Sequence, residues 1–139
     1  MTLGDLTSFV KTKRNVGKRV CFDIVHLEEW LKWADRNGFL FTNTENGQVD
    51  GVVVIYPVGK FNGTPTLAQV LGRCGHKDSP TDYFIMDALV DNPLARSKIC
   101  TNICLKFPLI ESDPDSKLWC QKGDRIIKLS KPHTINLKN

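Results

Sequence analysis

The stretch "YFIMDALVDNPLARSKICTNICL" (83–105) holds the residues of this chain whose types and spacing most readily suggest chemistry. An apolar run with one acid in it, Asp87, ends at a Pro turn, and Arg96, Ser97 and Lys98 follow where a helix should begin. Backbone N–H groups at a helix start point outward without intrahelical partners, and the helix dipole adds partial positive charge there. Such a terminus suits a phosphate, and Arg and Lys side chains beside it add charge-assisted hydrogen bonds.

Other groups are weaker. Cys74-Gly-His76 offers two metal ligands where zinc takes three or four, so no metal site is expected and the pair is read as polar loop residues. Five Cys, an odd number without the close spacing of a disulfide framework, point to reduced thiols. Cys100 and Cys104, four apart on a helix beside Ile103, read as small buried hydrophobes. His26 reads as a surface or helix-packing residue. No Ser sits in a Gly-x-Ser-x-Gly elbow, and no Walker loop or dinucleotide fingerprint occurs; Gly59 to Gly63 lacks the strand-to-helix setting of a phosphate loop.

Composition frames these groups. The chain has 139 residues, 41% hydrophobic and 24% charged, as expected of one globular domain spanning 1–139. No apolar run is long enough to cross a bilayer and no signal peptide is visible, so a cytoplasmic protein with no membrane partner is expected. The net charge of +4 is unevenly spread: "KTKRNVGKR" (11–19) holds five basic residues, while acids gather in "ESDPD" (111–115).

Periodicity supplies the elements. Leu3, Leu6, Phe9 and Val10 predict a helix over 2–14 capped by Thr2. Ile24, Leu27, Leu31 and Ala34 predict a second, with Asp23 as cap, Gly38 as stop and Trp30 and Trp33 widening the apolar face. Two β-rich runs flank Asn46-Gly47, a strong hairpin signal, and Pro57 is expected to end the second. Residues 58–82 read as a long connection with one helical turn at "TLAQVLG". "YFIMDALV" reads as a central, doubly covered strand. Asp91 or Asn92 should cap the next helix, which should stop before Pro108. "KLWCQ" and "RIIKL" around Lys122-Gly123-Asp124 predict a closing hairpin. This order implies an α+β fold, with a mostly antiparallel central sheet flanked by helices.

The order, with the corner at its centre, resembles the GNAT superfamily of acyl-CoA-dependent N-acetyltransferases, in particular its small, reduced, phage-encoded kind. "DALVDNPLARSKIC" is similar to the family's strand end and Arg-bearing turn, Phe39 to Val90 resembles its middle strands, and "WCQKGDRIIKL" its last hairpin. The resemblance implies acetyl-CoA as cofactor, held at Leu89, Val90, Arg96, Ser97 and Lys98. It implies Asp87 as the base that takes a proton from a small or protein amine, with Tyr83 or Tyr56 as the acid that reprotonates the leaving thiolate. It also implies the host cytoplasm as the setting. One departure stands out: the family's Gly positions fall on Ile99 and Thr101, whose branched side chains crowd the backbone that would meet the phosphates.

The alternative is binding without chemistry on the same scaffold, either to a host protein through 58–82 or to nucleic acid. For the latter, Lys11, Lys13, Arg14, Lys18, Arg19, Lys122, Arg125 and Lys128 are the cations available. Strand alternation puts Arg125 with Ile127 on one side and Lys128 with Ile126 on the other, which leaves no continuous basic ridge.

Overall fold

Thr2 and Asp5 begin the first helix by reciprocal capping: Asp5 N donates to Thr2 Oγ1 (3.1 Å) and Thr2 N to Asp5 Oδ2 (3.0 Å). These bonds hold the Asp5 carboxyl below its ordinary value. In the computed structural model, which describes residues 2–16, 24–76, 81–122 and 125–129, this helix is α1 (Leu3–Val16), followed by α2 (Ile24–Arg36). The expected Asp23 cap, Lys18 and Arg19 of the basic run, and the Gly123-Asp124 turn lie outside the described residues.

The hairpin forms as its turn residues dictate. β1 (Leu40–Glu45) and β2 (Gln48–Gly59) pair antiparallel across Asn46 and Gly47, both at positive φ (53° and 76°). Pro57 does not end β2, which runs on to Gly59. Pro lacks only an N–H, and the Pro57 carbonyl still accepts from Gly75 N (2.9 Å) and His76 N (3.2 Å). The 58–82 connection contains α3 (Leu67–Gly72), fixed by a Thr66–Gln69 capping box. β3 (Asp82–Val90) leads into α4 (Pro93–Lys106), which stops before Pro108. A four-residue helix not foreseen from periodicity, α5 (Leu109–Ser112), precedes β4 (Leu118–Lys122) and β5 (Arg125–Leu129).

The strands form one sheet in the order β1-β2-β3-β4-β5. It is mixed: β4 and β5 pair antiparallel, but β3 and β4 pair parallel, with Tyr83 opposite Leu118, Phe84 opposite Trp119 and Ile85 opposite Cys120. The 27 residues between β3 and β4, with α4 among them, provide the crossover a parallel neighbour requires.

The chain divides into two compact units. Unit 1 comprises residues 1–54 and 87–99, and unit 2 comprises 55–86 and 100–139. Unit 1 has its own core, in which Leu6 and Val10 of α1, Leu27 and Leu31 of α2, Val52 of β2 and Leu89 of β3 are buried together. Each such side chain contributes about 1.5–3 kcal/mol by leaving water. In unit 2 the Tyr56 and Phe84 rings pack at 5.9 Å and the Tyr83 and Phe107 rings at 5.2 Å.

Candidate functional site

The corner between β3 and α4 is where a phosphate was expected, and two of its first-turn amides, those of Ala95 and Arg96, are already committed. Pro93 has no N–H. Asn92 is the cap, its Oδ1 accepting from Ala95 N (2.8 Å), and the Arg96 N–H bonds the Asn92 carbonyl (3.1 Å). Acids cluster beside the turn. Asp50 of β2 accepts from Asn43 Nδ2 (2.8 Å) and Asn92 Nδ2 (3.3 Å), and its carbonyl accepts from Asp91 N (2.8 Å). The Asp91 carboxylate is paired with Lys13.

The side chains assigned to the cofactor are spread around this turn. Arg96 is exposed, Ser97 half-buried, and Lys98 exposed with its ammonium 3.8 Å from Glu45. Leu89 belongs to the unit 1 core. Val90 is half-buried and lies, with Ile99, against Gly51 of β2: a Cβ built on Gly51 would come within 2.6 Å of Ile99 Cδ1. The branched side chain at the family's Gly position is therefore turned into the core.

Of the two residues assigned to catalysis, Asp87 is 3% exposed and falls in unit 1, whereas Tyr83 is buried and falls in unit 2. Burial, then the nearby charge of Asp113, raises the Tyr83 hydroxyl above its ordinary value. Tyr56 is raised too, first by burial and then by Cys74, with which it shares a hydrogen bond. Burial pushes the Cys74 thiol up to about 11, and burial with Glu111 pushes Cys104 up to about 12. These two thiols are protonated at neutral pH, the opposite of an activated nucleophile. The described cysteines, Cys74, Cys100, Cys104 and Cys120, form no disulfide. Among the described residues no group of three or more His, Cys, Asp or Glu side chains is placed to hold a metal.

Unit 2 contains a more ordered arrangement, centred on Asp82. Its side chain has 0% exposure and accepts three hydrogen bonds: Lys60 Nζ (2.9 Å) and Lys117 N (3.0 Å) on Oδ1, and the Trp119 indole N–H (3.0 Å) on Oδ2. A buried carboxylate is tolerated only with such company, and the Lys60 ammonium supplies the countercharge. Lys60 Nζ also donates to the Asp115 carbonyl, so one ammonium joins the end of β2, the start of β3 and the loop before β4. Thr81 and Ser116, both buried, complete the knot. Thr81 Oγ1 accepts from Gly59 N (2.8 Å) and donates to Asp82 O (2.8 Å), while Ser116 Oγ donates to Thr81 O (3.1 Å). Gly59 is at φ +76°, and any Cβ there would run into the Arg73 guanidinium. That guanidinium lies 4.9 Å over the Phe61 ring and donates to Lys60 O (3.0 Å).

The knot forms the wall of a basin of about 630 Å³ lined by Lys60, Phe61, Asp115, Lys117 and Lys128, with Leu118 and Leu129 as its apolar part. The β4–β5 register explains the convergence of cations. Lys128 is directly opposite Trp119, and Lys117, two residues before Trp119, shares its face. The Lys117 ammonium sits 5.8 Å from the Trp119 ring centroid.

Lys128 was among the cations foreseen from sequence; Asp82, Lys60, Trp119, Thr81 and Ser116 were not singled out. The available signal was Thr81-Asp82, a polar pair placed directly before an apolar strand. Nothing local links it to partners 22 and 37 residues away. Compared with known proteins, the chain matches no family model, and neither a curated protein nor a solved structure is significantly similar to it.

Proposed function

We propose that this protein works by binding rather than by making or breaking bonds, with the lysine-rimmed basin of unit 2 as its contact site. The observation that carries this reading is the Asp82 knot: a buried carboxylate holding Lys60, Lys117 N and Trp119 fixes the walls of a ligand-sized basin before any ligand arrives. The raised Cys74 and Cys104 thiols are in their unreactive protonated forms at neutral pH, which disfavours thiolate chemistry at either.

A second reading, acetyl transfer from acetyl-CoA to an amine on a GNAT-like scaffold, is favoured by one observation. The helix of a strand–helix–strand crossover to a parallel neighbour carries Arg96, Ser97 and Lys98 within its first two turns. It requires an amine to reach Asp87, which is 3% exposed, and phosphates to displace the Asn92 cap.

A thiol-release assay with acetyl-CoA and a panel of small amines and lysine peptides separates the two. The binding reading expects release no faster for the native chain than for Asp87→Ala. Release that depends on Asp87 would replace it with the transferase reading.

A further inference from the structure

The chemistry of the basin lining specifies a ligand class. Of its three lysines, Lys60 is committed to Asp82 and the Asp115 carbonyl. The ligand-facing positive charge is therefore that of Lys117 and Lys128, opposed at the rim by the exposed carboxylate of Asp115. Both residues belong to the same face of the β4–β5 hairpin, Lys128 opposite Trp119 and the Lys117 ammonium 5.8 Å from the Trp119 ring centroid. A phosphate monoester, with nearly two negative charges at neutral pH and three acceptor oxygens, matches a pair of lysines better than a single carboxylate does.

The same basin has an aromatic wall. Phe61 lines the basin while the Arg73 guanidinium lies over its ring, whereas Leu118 and Leu129, paired on the other face of the hairpin, back it from behind, Leu118 at 1% exposure. Flat aromatic groups stack on such a ring, and pockets of about 300–1,000 Å³ take ligands of nucleotide size. We infer that the basin binds an organic phosphate carrying a flat aromatic ring, as in a nucleotide, with the phosphate on Lys117 and Lys128 and the ring against Phe61. This rests on the reading of the basin as the working site.

Isothermal titration of the full chain with AMP, adenosine, inorganic phosphate and octathymidylate tests it. AMP should bind the native chain at least about tenfold more tightly than adenosine or inorganic phosphate does, because it alone among these three joins ring and phosphate. Lys117→Ala/Lys128→Ala should weaken AMP by about tenfold or more, and Phe61→Ala should weaken AMP and adenosine alike. Asp115→Asn, which removes the opposing charge and keeps the shape, should tighten AMP by about two- to threefold. Octathymidylate binding that exceeds AMP and falls steeply with salt would assign the nucleotide to a nucleic-acid strand, while AMP exceeding octathymidylate would assign it to a free nucleotide. No binding of AMP or octathymidylate at about 1 mM, or equal AMP affinity in the native chain and the double lysine variant, would overturn the ligand class. Asp87-dependent thiol release would instead overturn the reading on which it rests.

Discussion

Asp50 sits half-buried on β2 and accepts two side-chain amide donors, from Asn43 and Asn92, at the edge of the α4 turn. Asp82 sits at no exposure at the start of β3 and accepts an ammonium, an indole N–H and a backbone N–H. Both carboxylates are well partnered, but water can replace the partners of the first and not those of the second. The unit 1 corner is thus a surface turn that holds itself together. The unit 2 knot is a buried junction whose members depend on one another and whose outer wall is the basin.

The largest effect should come from that difference. Asp82→Ala leaves an indole N–H and a backbone N–H without their acceptor and strips the Lys60 ammonium of its countercharge, and should cost about 3–5 kcal/mol in urea denaturation. Asp50→Ala should cost about 1 kcal/mol. Similar losses at the two sites would break the comparison.

Packing gives the next effect. Gly51→Ala puts a methyl 2.6 Å from Ile99 Cδ1 and should destabilise by about 1–3 kcal/mol through overpacking. A smaller, local loss follows at the helix start, where Asn92→Ala removes the α4 cap and should cost about 1 kcal/mol; Asn92→Asp keeps the cap but sets a second carboxylate against Asp50 and should recover only part of that loss.

The smallest effect near neutrality concerns the thiols. Cys74 and Cys104 have raised values of about 11 and about 12, so their neutral forms favour the fold below the ordinary thiol range near pH 8.5. That contribution is lost as pH rises from there through the folded values. Cys74→Ala and Cys104→Ala should therefore flatten the alkaline decline in stability. Iodoacetamide at pH 8, followed site by site by mass spectrometry, should label both thiols more slowly in the folded chain than in urea. Labelling equally fast in both states would mean that these thiols are not held neutral by the fold.

Local signals in the sequence were sufficient for most elements. The Asn46-Gly47 turn, the Thr2 cap, the Leu27/Leu31 stripe and the stop before Pro108 each act within a few residues, and each formed. Pro57 misled because a proline forfeits a donor but keeps an acceptor, and its carbonyl found Gly75 and His76. The parallel β3–β4 pair was not legible, since strand direction depends on the crossover and not on the pattern of either strand. The α4 turn was legible as a corner with Asn92 as cap, but not its occupation by Asp50 of β2 and Asn43 of β1, which come from two other strands. The Asp82 knot was invisible for the same reason, its partners lying 22 and 37 residues away.

The most direct test of the central claim sets the two regions against each other with one molecule. Acetyl-CoA carries an adenosine with phosphates, so it can address either the α4 turn or the basin. It should be titrated into the native chain, Arg96→Ala/Lys98→Ala and Lys117→Ala/Lys128→Ala. Affinity should fall by about tenfold in the basin variant and stay unchanged in the corner variant. Loss of binding in the corner variant with the basin variant unaffected would contradict that claim.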